Sequence, residues 1–136
     1  MNDINTAKIK QDFPLLFSLV NNFEFGDGWF GLFYDLATEL TAIAKKYKVN
    51  IVCLEAKQKF GELRFYFKTE DNATALSEIQ KAIKSAEVKS LFTCEITGKL
   101  GELYVSKNGF YQTLSPDLAK KEDYIKYSEA KEEGLA

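Results

Sequence analysis

The chain has 136 residues, 46% hydrophobic and 14% aromatic, with a formal net charge of −2 and no histidine. That is material for one well-filled domain, and it excludes a global field drawing nucleic acid or anionic lipid. The missing histidine removes the commonest general base and a common metal ligand. Two cysteines, Cys53 and Cys94, are too few for a disulfide framework. The first residues lack a signal-type apolar core. No apolar run approaches the roughly 20 residues of a membrane span. A cytosolic protein with no membrane partner is expected.

Taken in order, residues 1–8 are polar and expected to be loose. Ile9, Phe13, Leu16, Phe17 and Val20 share one helical face, with Pro14 placing the regular helix from about Asp12 or Phe13. Asn21 to Gly28 reads as a loop. Asp27 is placed to N-cap a long helix from about Gly28 to Tyr47, whose stripe includes Trp29, Phe33, Leu36, Leu40 and Ile43. The stretch Val49 to Lys68 organises the rest. Val49 to Ala56 is a β-rich run, Lys57 to Gly61 a turn, and Leu63, Phe65 and Phe67 alternate with Glu62, Arg64, Tyr66 and Lys68. This predicts a hairpin with one apolar face. A third helix begins at Asn72 or Thr74, and Leu91 to Ile96 reads as a short strand. Leu103–Ser106 and Phe110–Leu114 flank Lys107-Asn108-Gly109 as a second hairpin. Ser115-Pro116-Asp117 starts a last helix, and residues 130–136 are expected to be loose.

Several stretches together resemble a bacterial and phage protein family of unknown function. They are FPLLF (13–17), FEFGDGWFGLFYDL (23–36), KQKFGELRFYF (57–67), AEVKSLFTCEITG (86–98) and QTLSPDLA (112–119). Members of that family read TCE-x-C-G and later TLC-x-x-H-A, a pattern that looks like a small zinc ribbon with two ligands on each of two turns. The matching positions here are Cys94, Thr97, Ser115 and Leu118, so one thiol remains beside two hydroxyls and an alkyl group. Two further family cysteines correspond to Phe25 and Ala37. The resemblance with these departures implies a degenerate site, no bound zinc and no other cofactor. Apolar packing is then expected to fasten the C-terminal third.

Each candidate binding residue has a purely structural reading beside the functional one. Asp27 and Trp29 offer a small-molecule or peptide pocket with an aromatic wall, or a helix cap and a core anchor. Lys59, Phe60 and Arg64 lie in and after the hairpin turn, where Arg64 offers a bidentate grip on a carboxylate or phosphate, or pairs with Asp35, Glu39 or Glu55. Lys45, Lys46, Lys48, Lys57 and Lys59 near Tyr66 are the best case for single-stranded nucleic acid, or an ordinary solvated face. Glu24, Asp27, Asp35, Glu55 and Glu62 lie near the strongest motifs, but no spacing among them demands acid–base work.

The expected architecture is a single α+β domain over 1–136. Helices cover one face of an antiparallel sheet built on the central hairpin, followed by a small hairpin and helix. The expected function is a non-enzymatic module binding another protein, with an accessory or immunity role in a phage or mobile element implied by the resemblance. Nucleic-acid binding descended from a zinc-ribbon family is the alternative.

Overall fold

A computed structural model describes residues 1–132 and 134. Its order is α1 (Asp3–Asp12), a 3-10 turn (Asp27–Trp29), α2 (Phe30–Tyr47), β1 (Ile51–Lys59), β2 (Glu62–Thr69), α3 (Ala73–Ser90), β3 (Glu102–Val105), β4 (Tyr111–Leu114), α4 (Pro116–Lys121), β5 (Ile125–Lys126) and α5 (Tyr127–Glu132). The fold is α+β, with an antiparallel hairpin covered on one face by helices and a smaller antiparallel sheet after it.

The central hairpin forms where the alternation places it. Leu63 and Phe65 on β2 and Ile51, Cys53 and Ala56 on β1 are buried with the inner stripes of α2 and α3. The register slips between Cys53 and Glu55, so Leu54 bulges outward and the inward alternation resumes at Ala56. The turn is tighter than the sequence suggests. Lys57, Gln58 and Lys59 stay in the ladder, and Phe60 and Gly61 alone make the reversal, with φ of 54° and 80°.

The N-terminal segment departs from expectation. Helix α1 occupies Asp3–Asp12, capped by Asn2 Oδ1 accepting from the Asn5 N–H at 2.8 Å, where residues 1–8 were expected to be loose. The Met1 nitrogen donates to the carbonyls of Phe23 and Phe25. The expected helix after Asp12 is instead a series of turns, because Pro14 disfavours the helical region at Phe13, which takes φ −131° and ψ 62°. The apolar residues of that stretch still reach the core: Leu16, Phe17 and Val20 are buried. Phe17, Phe23, Phe25 and Phe33 then stack or meet edge-on, with centroids 4.9–6.1 Å apart.

Beyond α3 the expected strand at Leu91–Ile96 is a run of turns with one bridge, Thr93 to Leu100. The second hairpin is present as β3 and β4, and β5 adds a third strand in the order β4-β3-β5. A separate small core of Cys94, Tyr104, Leu114 and Ala119, with Leu118 and Tyr124 against it, holds this sheet to α4. Ala130 in α5 is buried, so the expected loose end does not begin there. Of that expected loose stretch, residues 133, 135 and 136 lie outside the described residues.

Candidate functional site

Two places gather the residues singled out by the sequence. The first is the joint between the GDGW turn and the Cys94–Gly98 turn. The Gly28 N–H donates to the Glu95 carbonyl at 2.8 Å and the Trp29 indole N–H to the Thr93 carbonyl at 2.8 Å. A Cβ on Gly26 would stand 2.4 Å from the Glu95 carbonyl oxygen, and one on Gly28 2.1 Å from that of Cys94. Both glycines are therefore demanded by close approach of two backbones. Trp29 is fully buried, so it is a core anchor and not the wall of a pocket. Asp27 does not cap α2 with its side chain. Its Oδ1 instead accepts from the Asn2 N–H at 2.8 Å and from Asn5 Nδ2 at 3.2 Å, tying α1 to the turn.

The same joint holds a residue that sequence reasoning missed. Glu95 is only 5% exposed, and its Oε2 accepts from the Gly26 N–H at 3.0 Å. Gln112 approaches this carboxylate, yet Oε1 is left without a bonded partner. Burial raises its pKa, opposed by the Gly26 and Gln112 donors. An acid within TCEITG carries no local mark of burial; only the contact with Gly26, far upstream, reveals it.

Cys94, Thr97, Ser115 and Leu118 converge. Burial pushes the Cys94 thiol up, but the Thr97 hydroxyl and amide and the Ser115 and Ile96 amides outweigh it and hold the pKa below the ordinary value. The Thr97 N–H lies 3.4 Å from Sγ, and Leu118 packs against the small core. This donor set does not fit zinc: two neutral hydroxyls cannot replace thiolates and an alkyl group has no lone pair. Among the described residues no group of three or more His, Cys, Asp or Glu is placed to hold a metal ion. Cys53 is a different thiol, fully buried in the main core, with its pKa pushed up to about 12 by burial.

The second place is the outer face and tip of the hairpin. The cross-strand pairs Lys57–Arg64, Glu55–Tyr66 and Lys59–Glu62 alternate with the buried Ala56, Leu63 and Phe65, and Glu62 and Arg64 also lie close enough to Glu87 of α3 to act on its charge. Arg64 does not reach Asp35, Glu39 or Glu55 as expected; its guanidinium meets Glu62 at 3.4 Å on its own strand. Lys57 pairs with Glu55 at 2.8 Å and lies 6.0 Å from the centre of the Tyr66 ring, which is 44% exposed. Lys59 lies over Phe60 at 5.7 Å. Phe60 meets Tyr111 edge-on at 5.6 Å, and Tyr111 continues to Tyr127 at 5.9 Å. Thus Lys59, Arg64 and Tyr66 share this face, while Asp27 and Trp29 belong to the joint. The five lysines do not form one cluster. Lys46 pairs with Glu78 at 3.5 Å, and Lys45 and Lys48 line a groove at the other end of β1 from Lys59. Of the five acids near the motifs, Asp27, Glu55 and Glu62 are engaged by Asn2 and Asn5, by Lys57 and by Arg64.

No protein-family model, curated protein or solved structure matches the chain. No helix among the described residues is long and apolar enough to cross a membrane.

Proposed function

We propose that the protein is a small non-enzymatic module that binds another protein, in the manner of an accessory or inhibitor protein of a phage or other mobile element. One observation carries the reading: Phe60 holds a left-handed conformation at the hairpin tip, φ 54°, while 60% of it stays exposed. A bulky L-residue there costs about 1–2 kcal/mol where Asn or Gly would fit freely. The edge contact with Tyr111 offsets part of this, about 0.5–1.5 kcal/mol. A strained aromatic left largely in water has the character of an interface anchor. Further along the hairpin Tyr66 is also exposed, with Lys57 6.0 Å from its ring centre, so the outer face is mixed apolar and charged.

The pairing of Lys57 with Glu55 and of Arg64 with Glu62 favours a protein over nucleic acid, whose phosphates need free cations. The test is affinity purification from the cells that encode the protein, comparing wild type, Phe60→Asn and Tyr66→Asp. A stoichiometric protein retained by the wild type and lost by both variants is expected. No such protein, or equal retention by all three, would overturn the reading. Steeply salt-dependent retention of nucleic acid would replace it with the alternative.

A further inference from the structure

Leu15 is 78% exposed, and packing within the fold does not account for it. It forms one lip of a groove of about 820 Å³, bounded by the turns after α1, the C-terminal part of α2 and the start of β1. That volume lies within the range of small-ligand sites, about 300–1,000 Å³. The floor is aliphatic, with Leu40, Ala44, Val49 and Ile51, and neither an aromatic ring nor an acid lines it. Two lysines do, Lys45 and Lys48. Neither forms an ion pair among the described residues, although Lys46 between them is paired with Glu78.

We propose that this groove binds an anionic amphiphile, a free unbranched acyl chain of fatty-acid type, with its carboxylate held by Lys45 and Lys48. The aliphatic floor rewards burial of a methylene chain. With no ring there is nothing on which a nucleobase or aromatic ligand would stack. With no acid in the wall there is nothing to hold a cationic head. Helix α2 ends here, and its carbonyl end carries about half a negative charge. Two full positive charges exceed that, and the Lys48 and Val49 amides already donate to the Ala44 carbonyl. The neighbouring Glu70 is engaged by the Asn50 backbone N–H at 2.9 Å and by Asn50 Nδ2 at 2.7 Å. The site does not depend on the protein-binding face, since it lies at the opposite end of β1 from Phe60.

The experiment titrates the protein with monomeric dodecanoate and, separately, with dodecyltrimethylammonium, following backbone amide shifts. Dodecanoate should shift amides between Leu40 and Val52 and bind at least about tenfold tighter than the cation of equal chain length. Lys45→Glu together with Lys48→Glu should reverse that preference. Leu15→Ser, at an exposed lip where the core is not disturbed, should weaken dodecanoate several-fold. Equal affinity for both head groups, shifts confined to other regions, or no response to dodecanoate would each overturn the proposal. So would binding to phosphatidylglycerol vesicles without a response to the monomer.

Discussion

From Ile9 to Ala86 the buried side chains form one continuous core, in which Phe17, Phe23, Phe25 and Phe33 touch one another and the hairpin closes over α2 and α3. Beyond Thr93 the buried apolar cluster shrinks to Cys94, Tyr104, Leu114 and Ala119. The body is held by area, at about 1.5–3 kcal/mol for each large side chain buried. The C-terminal sheet is held by placement: backbone hydrogen bonds through Gly26 and Gly28, the Thr113 hydroxyl donating to the Gly61 carbonyl at 2.6 Å, and N–H groups converging on one sulfur. The apolar packing expected at the altered ribbon positions is present, with Leu118 against the small core, and these hydrogen bonds act beside it. A region held by area tolerates small losses, whereas one held by placement fails when a single atom is added.

The largest expected effect tests that contrast with two glycines on either side of Trp29. Gly28→Ala drives a methyl into the Cys94 carbonyl and should destabilise by about 3 kcal/mol or more, through strain at the joint. Amide exchange at Cys94, Glu95 and Gly98 should accelerate while α2 and α3 keep their protection. Gly31→Ala sits in α2 with nothing within 4 Å of the added carbon. It should stabilise by about 0.5–1 kcal/mol through helix propensity. Denaturant unfolding giving the two variants the same sign would refute the steric account of the joint.

The two thiols sharpen the comparison at a smaller scale. Cys53→Ser places a hydroxyl in the apolar core, an expected loss of about 2–3 kcal/mol. Cys94→Ser keeps an acceptor for the Thr97 and Ser115 amides and should cost only about 1 kcal/mol. Maleimide labelling of the native protein should modify Cys94 first, through local opening of the C-terminal sheet. Cys53, fully buried with its pKa pushed up to about 12, should wait for global unfolding. Earlier labelling of Cys53 would reverse the assigned order of stability.

Local periodicity made the body readable. The alternation through Leu63, Phe65 and Phe67 and the stripe from Phe33 to Ile43 each report their own burial. Pro14 was readable as a break but not as a boundary, because the polar residues before it were needed to show that Asn2 caps a helix. The joint was not readable in the same way. Gly26, Asp27 and Gly28 look like a turn and a cap, yet their partners are Glu95, Asn2 and Cys94, set by tertiary approach. The convergence of Cys94, Thr97, Ser115 and Leu118 entered only through a resemblance, since nothing in their spacing joins two hydroxyls and a leucine to one thiol. Strand β5 is two residues long and has no period to detect.

The smallest expected effect lies inside the joint. Burial raises the folded pKa of the Glu95 carboxyl above its ordinary 4.5, the value taken for the unfolded chain. A raised carboxyl pKa means that the native state binds the proton more tightly. The stability this group contributes is therefore full below about pH 4.5 and is lost as pH rises through the folded value. Glu95→Gln keeps an oxygen for the Gly26 N–H and never ionises. The stability of this variant relative to wild type should thus be flat or smallest near pH 4 and grow in favour of the variant toward pH 7. Unfolding curves for both proteins across that range, compared as differences, cancel most of the other carboxylates. A gap that grows on acidification instead would mean that the charged carboxylate's bond to Gly26 outweighs its burial. The joint would then be an ionic clasp released by acid, and the C-terminal sheet would be the first part of the molecule to come away.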